Sequence, residues 1–133
     1  NIGIVGHSDG DIVIHAIVDA ILGALSKGDI GTFFPSNKPE YKNCSSNIFL
    51  QKAIDIMKKE NYIIGNIDIN IVLQKPHINS YIESMKKSLG DLMQIDNTKI
   101  SIKATTSDYL GFVGQGKGII STATLLLLQN HES

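Results

Sequence analysis

The stretch Lys99–Leu128, KISIKATTSDYLGFVGQGKGIISTATLLLL, decides the fold. Lys99 to Ala104 alternates as a strand, and IISTATLLLL, Ile119–Leu128, reads as a second. Between them runs a polar and then glycine-rich segment without helical spacing. Two strands joined without a helix break the strand–helix alternation of a doubly wound parallel sheet. The expectation is therefore an α+β fold, a mixed β-sheet with helices packed on one face. The last strand is apolar on both of its own faces, so its outer face calls for burial against other subunits.

Working outward, Asn66–Leu73 alternates as a strand that Pro76 stops, and a helix is expected from about Ser80 to Leu92. Upstream, Ser45 or Ser46 caps a helix to about Lys59, with Ile48, Phe49, Ala53, Ile56 and Met57 as its apolar stripe. GDIGTFFPSNKPEYKNCSS, residues 28–46, reads as one long loop, of a length usually functional or mobile. Asp11 to Leu25 carries Ile12, Val13, Ala16, Ile17, Ala20, Ile21 and Ala24 at helical spacing. Ser8 or Asp9 is its expected N-cap and Gly28 its end. NIGIVG, residues 1–6, reads as the end of a strand. There is no internal repeat, so residues 1–133 form a single domain.

Twelve basic residues face 13 acidic ones, for a net charge of −1, which leaves no electrostatic footprint for nucleic acid. All 12 are Lys. Any phosphate is therefore held without a guanidinium clamp, by Lys, hydroxyls, backbone N–H groups or metals. The one cysteine, Cys44, forms no intrachain disulfide, and a reducing compartment is the default. No apolar run approaches the roughly 20 residues of a membrane span.

Three constellations carry possible chemistry. Asp11, His15 and Asp19 follow one another at i, i+4 and i+8 and share a helix face, close after His7-Ser8-Asp9. They read as part of a divalent-metal site, or as a helix-dipole partner beside a half-buried histidine. Lys103-Ala104-Thr105-Thr106-Ser107-Asp108 puts an ammonium, three hydroxyls and a carboxylate at a strand end. That is a phosphate cradle with a cation ligand, or a polar strand end with a turn. Gly111–Gly118 is no nucleotide fingerprint, because a strand follows it rather than a helix, and a bulged or tight strand connection is the better reading. Cys44, His77 and His131 read as incidental.

Taken together, HSDGDIVIHAIVDAILGALSKGDIGTFFP, GNIDINIVLQKP and KATTSDYLGFVGQGKGI resemble the 2-C-methyl-D-erythritol 2,4-cyclodiphosphate synthase family from about Gly3 to Leu128. The resemblance implies an enzyme of non-mevalonate isoprenoid biosynthesis, a phosphorus–oxygen lyase. It cyclises 4-diphosphocytidyl-2-C-methyl-D-erythritol 2-phosphate to 2-C-methyl-D-erythritol 2,4-cyclodiphosphate and releases CMP. It also implies a homotrimer with sheets facing each other and active sites between subunits. Zn2+ is implied at a His15 site, and Mg2+ or Mn2+ at the diphosphate through Asp108, where the family usually has Glu. The family's first metal also uses an Asp-x-His pair on an upstream strand, a segment expected in the natural protein and either cut off or unseen here.

Other roles carry over one position at a time. His7 and Thr106 match residues that stabilise the transition state. His7 and Ser8 match the loop over the methylerythritol phosphate. Asp29, Ile30 and Gly31 match the ribose contacts, and Phe34, Pro35, Ser36, Asn37 and Lys38 match the substrate loop, which is usually acidic after the proline. Leu73, Gln74, Lys75, Pro76, His77, Ile78 and Asn79 match the cytosine pocket. Thr105, Thr106, Ser107 and Asp108 match the diphosphate segment, with Phe112 further along it. Gln115 stands where Arg is common near the trimer axis, and Lys117 where an acidic residue is common.

Two rivals share the composition: a non-enzymatic trimeric small-ligand-binding protein and a metal-dependent phosphohydrolase. The excess of Ile, Asn and Lys over Arg suggests an AT-rich coding sequence. It points to a relict plastid in a eukaryote or to bacterial cytoplasm.

Overall fold

The computed structural model describes residues 7–35, 45–73, 81–105 and 119–131, with the backbone alone for residues 7–9. Helix α1 spans His7–Ala24, and α2 is a single turn, Ile30–Phe33. Helix α3 spans Ser46–Lys59 and strand β1 Tyr62–Val72. Helix α4 spans Ile82–Met93 and, after a 3-10 turn at Asn97–Lys99, strands β2 (Ile100–Thr105) and β3 (Ile120–Gln129) follow. The expected strand at 1–6 and the glycine-rich segment lie outside the described residues.

The three strands form one mixed sheet in the order β2-β1-β3. Strand β1 pairs with β2 in parallel, Ile67 opposite Ile100 through Val72 opposite Thr105. It pairs with β3 antiparallel, Val72 opposite Ile120 through Tyr62 opposite Gln129. The α+β expectation holds in this form. Strands β2 and β3 flank β1, with Thr105 and Ile120 on either side of Val72. The expected bulged or tight connection at Gly111–Gly118 lies outside the described residues.

Strand β1 begins four residues before the expected Asn66. The ladder with β3 shifts between Ile64 and Asn66, leaving Gly65 as an irregularity. A Cβ on Gly65 would lie 3.1 Å from the Leu128 side chain, so the missing side chain permits the close approach. The extra residue breaks the period of two, and Tyr62–Gly65 therefore does not alternate as a strand should.

Helix α1 starts at His7, so Ser8 and Asp9 fall in its first turn rather than at its N-cap. It ends at Ala24, short of Gly28. Ser26 takes the left-handed conformation at φ 58°, and the Lys27 N–H donates to the Leu22 carbonyl at 2.8 Å. That bond closes the C-terminus before Gly28, itself at φ 100°, is reached. The loop expected at 28–46 contains α2, which Asp29 caps. The α3 expectation holds: Ser45 is the N-cap, and its hydroxyl accepts from the Asn47 N–H at 3.3 Å.

One apolar layer joins helices and sheet. Val13, Ile14, Ile17, Val18, Ile21 and Leu22 of α1 are buried, where α1 packs on α3 and β3, a stripe rotated from the expected one: Ile12, Ala16 and Ala20 are half-buried and Ala24 is exposed. They meet Leu50, Ala53, Ile54 and Met57 of α3 and Ile64, Ile67, Ile69 and Ile71 of β1. Met85, Leu89 and Met93 of α4 and Ile100 and Ile102 of β2 complete the core. Residues alternating with these point to the other face of the sheet. There Ile120, Leu126 and Leu128 are exposed at 50%, 55% and 46%. Thr122 and Thr124 separate them, so this face of β3 is apolar at its two ends.

Candidate active site

The polar face of α1 is where Asp11, His15 and Asp19 stand, and each has its own partner. Asp11 accepts a short hydrogen bond from the hydroxyl of Ser46, itself buried at the start of α3. His15 is exposed, not half-buried, and its ring lies 6.4 Å from that of Phe49 at a tilt of 58°. Asp19 accepts from the Ile30 N–H at 2.7 Å. One face of α1 thus seats the first turn of α3 and the first residue of α2. Among the described residues, no three His, Cys, Asp or Glu side chains come together as a metal site. Asp11 and Asp19 each hold a group on another element, while His15 is exposed beside Phe49. A lone imidazole does not make a tetrahedral site.

The α2 turn carries the expected ribose contacts. Asp29 is extended at φ −133° and ψ 177°, and its carboxylate accepts from the Thr32 N–H at 2.8 Å. The Asp29 carbonyl accepts from the Phe33 N–H at 3.0 Å, and the Ile30 carbonyl from the Phe34 N–H at 2.8 Å. Phe34 is buried and stacks on Phe49 with centroids 5.2 Å apart and planes at 27°. Phe33 meets Phe34 edge-on at 5.3 Å. The stacked pair fixes the chain just before Pro35, where the expected substrate loop begins.

The Thr32 amide and hydroxyl hold the Asp29 carboxyl below its ordinary value. A depressed folded-state pKa means that the capping contribution is complete above the unfolded value and is lost only as pH falls through the lower folded one. A carboxyl-carbon NMR titration of the folded protein should place the Asp29 midpoint below the ordinary aspartate range. A midpoint at or above that range would contradict the cap geometry.

A second unit forms at the sheet edge. Because β1 and β2 are parallel, their carboxyl ends emerge side by side, with Val72 opposite Thr105. The Leu73 N–H donates to the Thr105 carbonyl at 3.0 Å. The expected cytosine and diphosphate segments therefore leave the sheet from neighbouring positions, the usual place for a ligand at the carboxyl ends of parallel strands. Ile120, where β3 begins, stands opposite Val72 at the same edge. Lys103 does not face that edge freely. Its ammonium pairs with Asp68 across the strands at 3.0 Å.

Of the expected site residues, Asp29, Ile30, Gly31, Phe34 and Pro35 come together at α2, Leu73 and Thr105 at the sheet edge, and His15 on α1. His7 and Ser8 lie in the first turn of α1. Ser36, Asn37, Lys38, Gln74, Lys75, Pro76, His77, Ile78, Asn79, Thr106, Ser107, Asp108, Phe112 and Gln115 lie outside the described residues. Ser46 was not expected at the site, and Asp19, read with Asp11 and His15 as part of a metal site, holds the Ile30 N–H instead. The i+4 step from His15 marked Asp19, but its partner, a backbone N–H 11 residues away, leaves no sequence signature.

Comparison with known proteins places this geometry. The model of the YgbB family matches residues 1–128. The chain is 49% identical over 126 residues to a 2-C-methyl-D-erythritol 2,4-cyclodiphosphate synthase of Clostridium acetobutylicum, covering 95% of this chain and 81% of that protein. Identity to the synthase of Bacillus subtilis is 43% over 125 residues, covering 94% and 79%. A solved structure of IspF from Plasmodium falciparum in a CDP complex superposes with a TM-score of 0.82 at 42% identity, covering 96% of this chain and 76% of that one. The chain belongs to the YgbB family, that of the 2-C-methyl-D-erythritol 2,4-cyclodiphosphate synthases.

Proposed function

We infer that the chain is a 2-C-methyl-D-erythritol 2,4-cyclodiphosphate synthase, converting 4-diphosphocytidyl-2-C-methyl-D-erythritol 2-phosphate to the cyclic diphosphate and CMP in isoprenoid precursor biosynthesis. The observation that carries the reading is the parallel pairing of β1 and β2, which sets Leu73 and Thr105 side by side. A base-reading segment and a phosphate-holding segment then start a strand apart. An oxygen of the 2-phosphate attacks the β-phosphorus of the diphosphate arm. The new P–O bond closes the ring, the bond to CMP breaks, and CMP leaves with the pair of electrons.

Both partners are anionic, so alignment and charge neutralisation carry the rate. Asp29 and Gly31 hold the ribose hydroxyls, and residues 73–79 hold the cytosine mainly through backbone groups. Thr105, Thr106 and adjacent N–H groups hold the diphosphate, while His7 and Thr106 stabilise the charge of the transition state. His7 and Ser8 lie over the methylerythritol phosphate, and residues 34–38 close over the substrate. His15 is proposed as one ligand of a Zn2+-type ion, and Asp108 as a ligand of Mg2+ or Mn2+. When bound, such ions supply Lewis acidity and neutralise phosphate charge.

The homotrimer is proposed on the exposed Ile120, Leu126 and Leu128 of the uncovered sheet face, which facing sheets would bury. Among the described residues no helix is long and apolar enough to cross a membrane. The plastid-type placement rests on residue usage, and the curated relatives compared above are bacterial.

The test is CMP release from the cytidine substrate, with and without Zn2+ and Mg2+, on material sized by sedimentation. The expected result is stoichiometric CMP and cyclic diphosphate, dependent on added divalent ions, from a trimer. Release of inorganic phosphate instead would favour a phosphohydrolase. Binding of CMP without turnover would favour a ligand-binding protein.

A further inference from the structure

Helix α2 is four residues long and has no buried side chain. A turn this short does not hold its place by helix propensity, and only Ile30 is partly buried against the core. Three further contacts fix it. Phe34, just past its end, is buried against Phe49. Asp29 caps it locally through the Thr32 N–H. Asp19 is the link from outside the turn: its carboxylate, exposed on α1, accepts from the Ile30 N–H at 2.7 Å.

That bond acts on one particular peptide group, the one between Asp29 and Ile30. Its N–H is held by Asp19 and its carbonyl by the Phe33 N–H at 3.0 Å. A peptide plane held at both ends leaves little freedom in ψ of Asp29 or φ of Ile30. The direction in which the Asp29 carboxylate leaves the backbone is then set relative to α1, a long helix with six fully or nearly fully buried side chains. The Gly31 N–H follows on the next peptide and is oriented by the same anchor. The three residues proposed to meet the ribose, Asp29, Ile30 and Gly31, are therefore tied to α1 by this carboxylate, beside the partial burial of Ile30 and the Phe34–Phe49 stack.

We propose that Asp19 is a positioning residue for ribose recognition, acting through the Ile30 N–H on Asp29 and Gly31 without touching substrate. The proposal rests on the ribose role given above to the α2 turn. It separates Asp19 from Asp11. Asp11 secures the start of α3 through Ser46, away from the α2 peptides. It also accounts for a carboxylate at an exposed position where a purely apolar-polar pattern would accept any polar residue.

The experiment compares the unaltered protein with Asp19→Ala and Asp19→Asn. Each is measured for affinity to CMP and to 2′,3′-dideoxy-CMP, and for kcat and KM with the cytidine substrate. Loss of one hydrogen bond to a charged acceptor predicts about a tenfold loss of CMP affinity in Asp19→Ala and about a tenfold rise in KM, with kcat within about twofold. Affinity for the dideoxy analogue, which has no ribose hydroxyls to position, should stay within about twofold. Asp19→Asn keeps an acceptor oxygen and should restore CMP affinity to within about threefold.

Asp19→Ser, whose hydroxyl is too short to reach, should behave as Asp19→Ala and stands in for it if the alanine variant does not fold. Unchanged CMP affinity in Asp19→Ala overturns the proposal. So does an equal loss for CMP and the dideoxy nucleotide, which marks a general structural role. A different failure is recognisable in the unaltered protein. If it binds CMP and the dideoxy analogue equally, the ribose role of Asp29 and Gly31 falls, and the role of Asp19 falls with it.

Discussion

Replacing Asp29 by alanine is expected to lower kcat/KM for the cytidine substrate by about a hundredfold, because two functions are lost together. The carboxylate is the proposed acceptor for the ribose hydroxyls, and it is also the N-cap of α2, accepting from the Thr32 N–H at 2.8 Å. Without the cap, the turn loses the bond that gives it its shape, so Gly31 is misplaced as well. Asp29→Asn separates the two functions. Its amide oxygen still accepts from Thr32 and keeps the cap, while the charge is gone, so a fall of about tenfold is expected. The check is steady-state CMP release across a range of substrate concentrations. An Asp29→Ala enzyme within about threefold of the parent would remove Asp29 from the site.

The largest expected loss of stability comes from Ile69→Ala. Ile69 is fully buried at the middle of the central strand, opposite Ile102 on β2 and Ala123 on β3. Its side chain faces the layer formed by the helices, and truncation there leaves a cavity that a strand paired on both edges cannot easily close. A cost of about 2–5 kcal/mol is expected, read as a lower urea midpoint with an unchanged slope. A shift worth less than about 1 kcal/mol would mean that β1 is not the centre of the core.

Local order was legible where one period dominated. Ile67, Ile69 and Ile71 alternate with Asp68 and Asn70, and the strand was read correctly over that segment. Ser45 before Ser46–Lys59 marked a helix start through a cap that acts within two residues. Errors arose where a single residue changed the rule. Gly65 shifted the register of β1 and hid its first turn of pairing. Ser26, in the left-handed conformation, closes α1 two residues before Gly28, where the sequence suggested its end. The first reflects a neighbour distant in the chain, Leu128, and the second the local bonds that close the end of α1, from the Ser26 N–H to Gly23 and from the Lys27 N–H to Leu22.

The candidate site divides along the same line. The sequence alone identified its chemistry: no Arg, a His-Asp helix face, a hydroxyl-rich strand end and a specific family likeness. It could not say which polar groups are already taken. Asp11 goes to Ser46, 35 residues away, Lys103 to Asp68, also 35 residues away, and Asp19 to a backbone N–H. Side-chain type and spacing along a helix or strand are properties of the chain itself, so periodic elements and residue chemistry follow from sequence. A hydrogen bond forms only when two groups come within about 3 Å. For residues far apart in sequence, packing of α1 against α3 and pairing of β1 with β2 decide that distance, and these arise only when the whole core assembles.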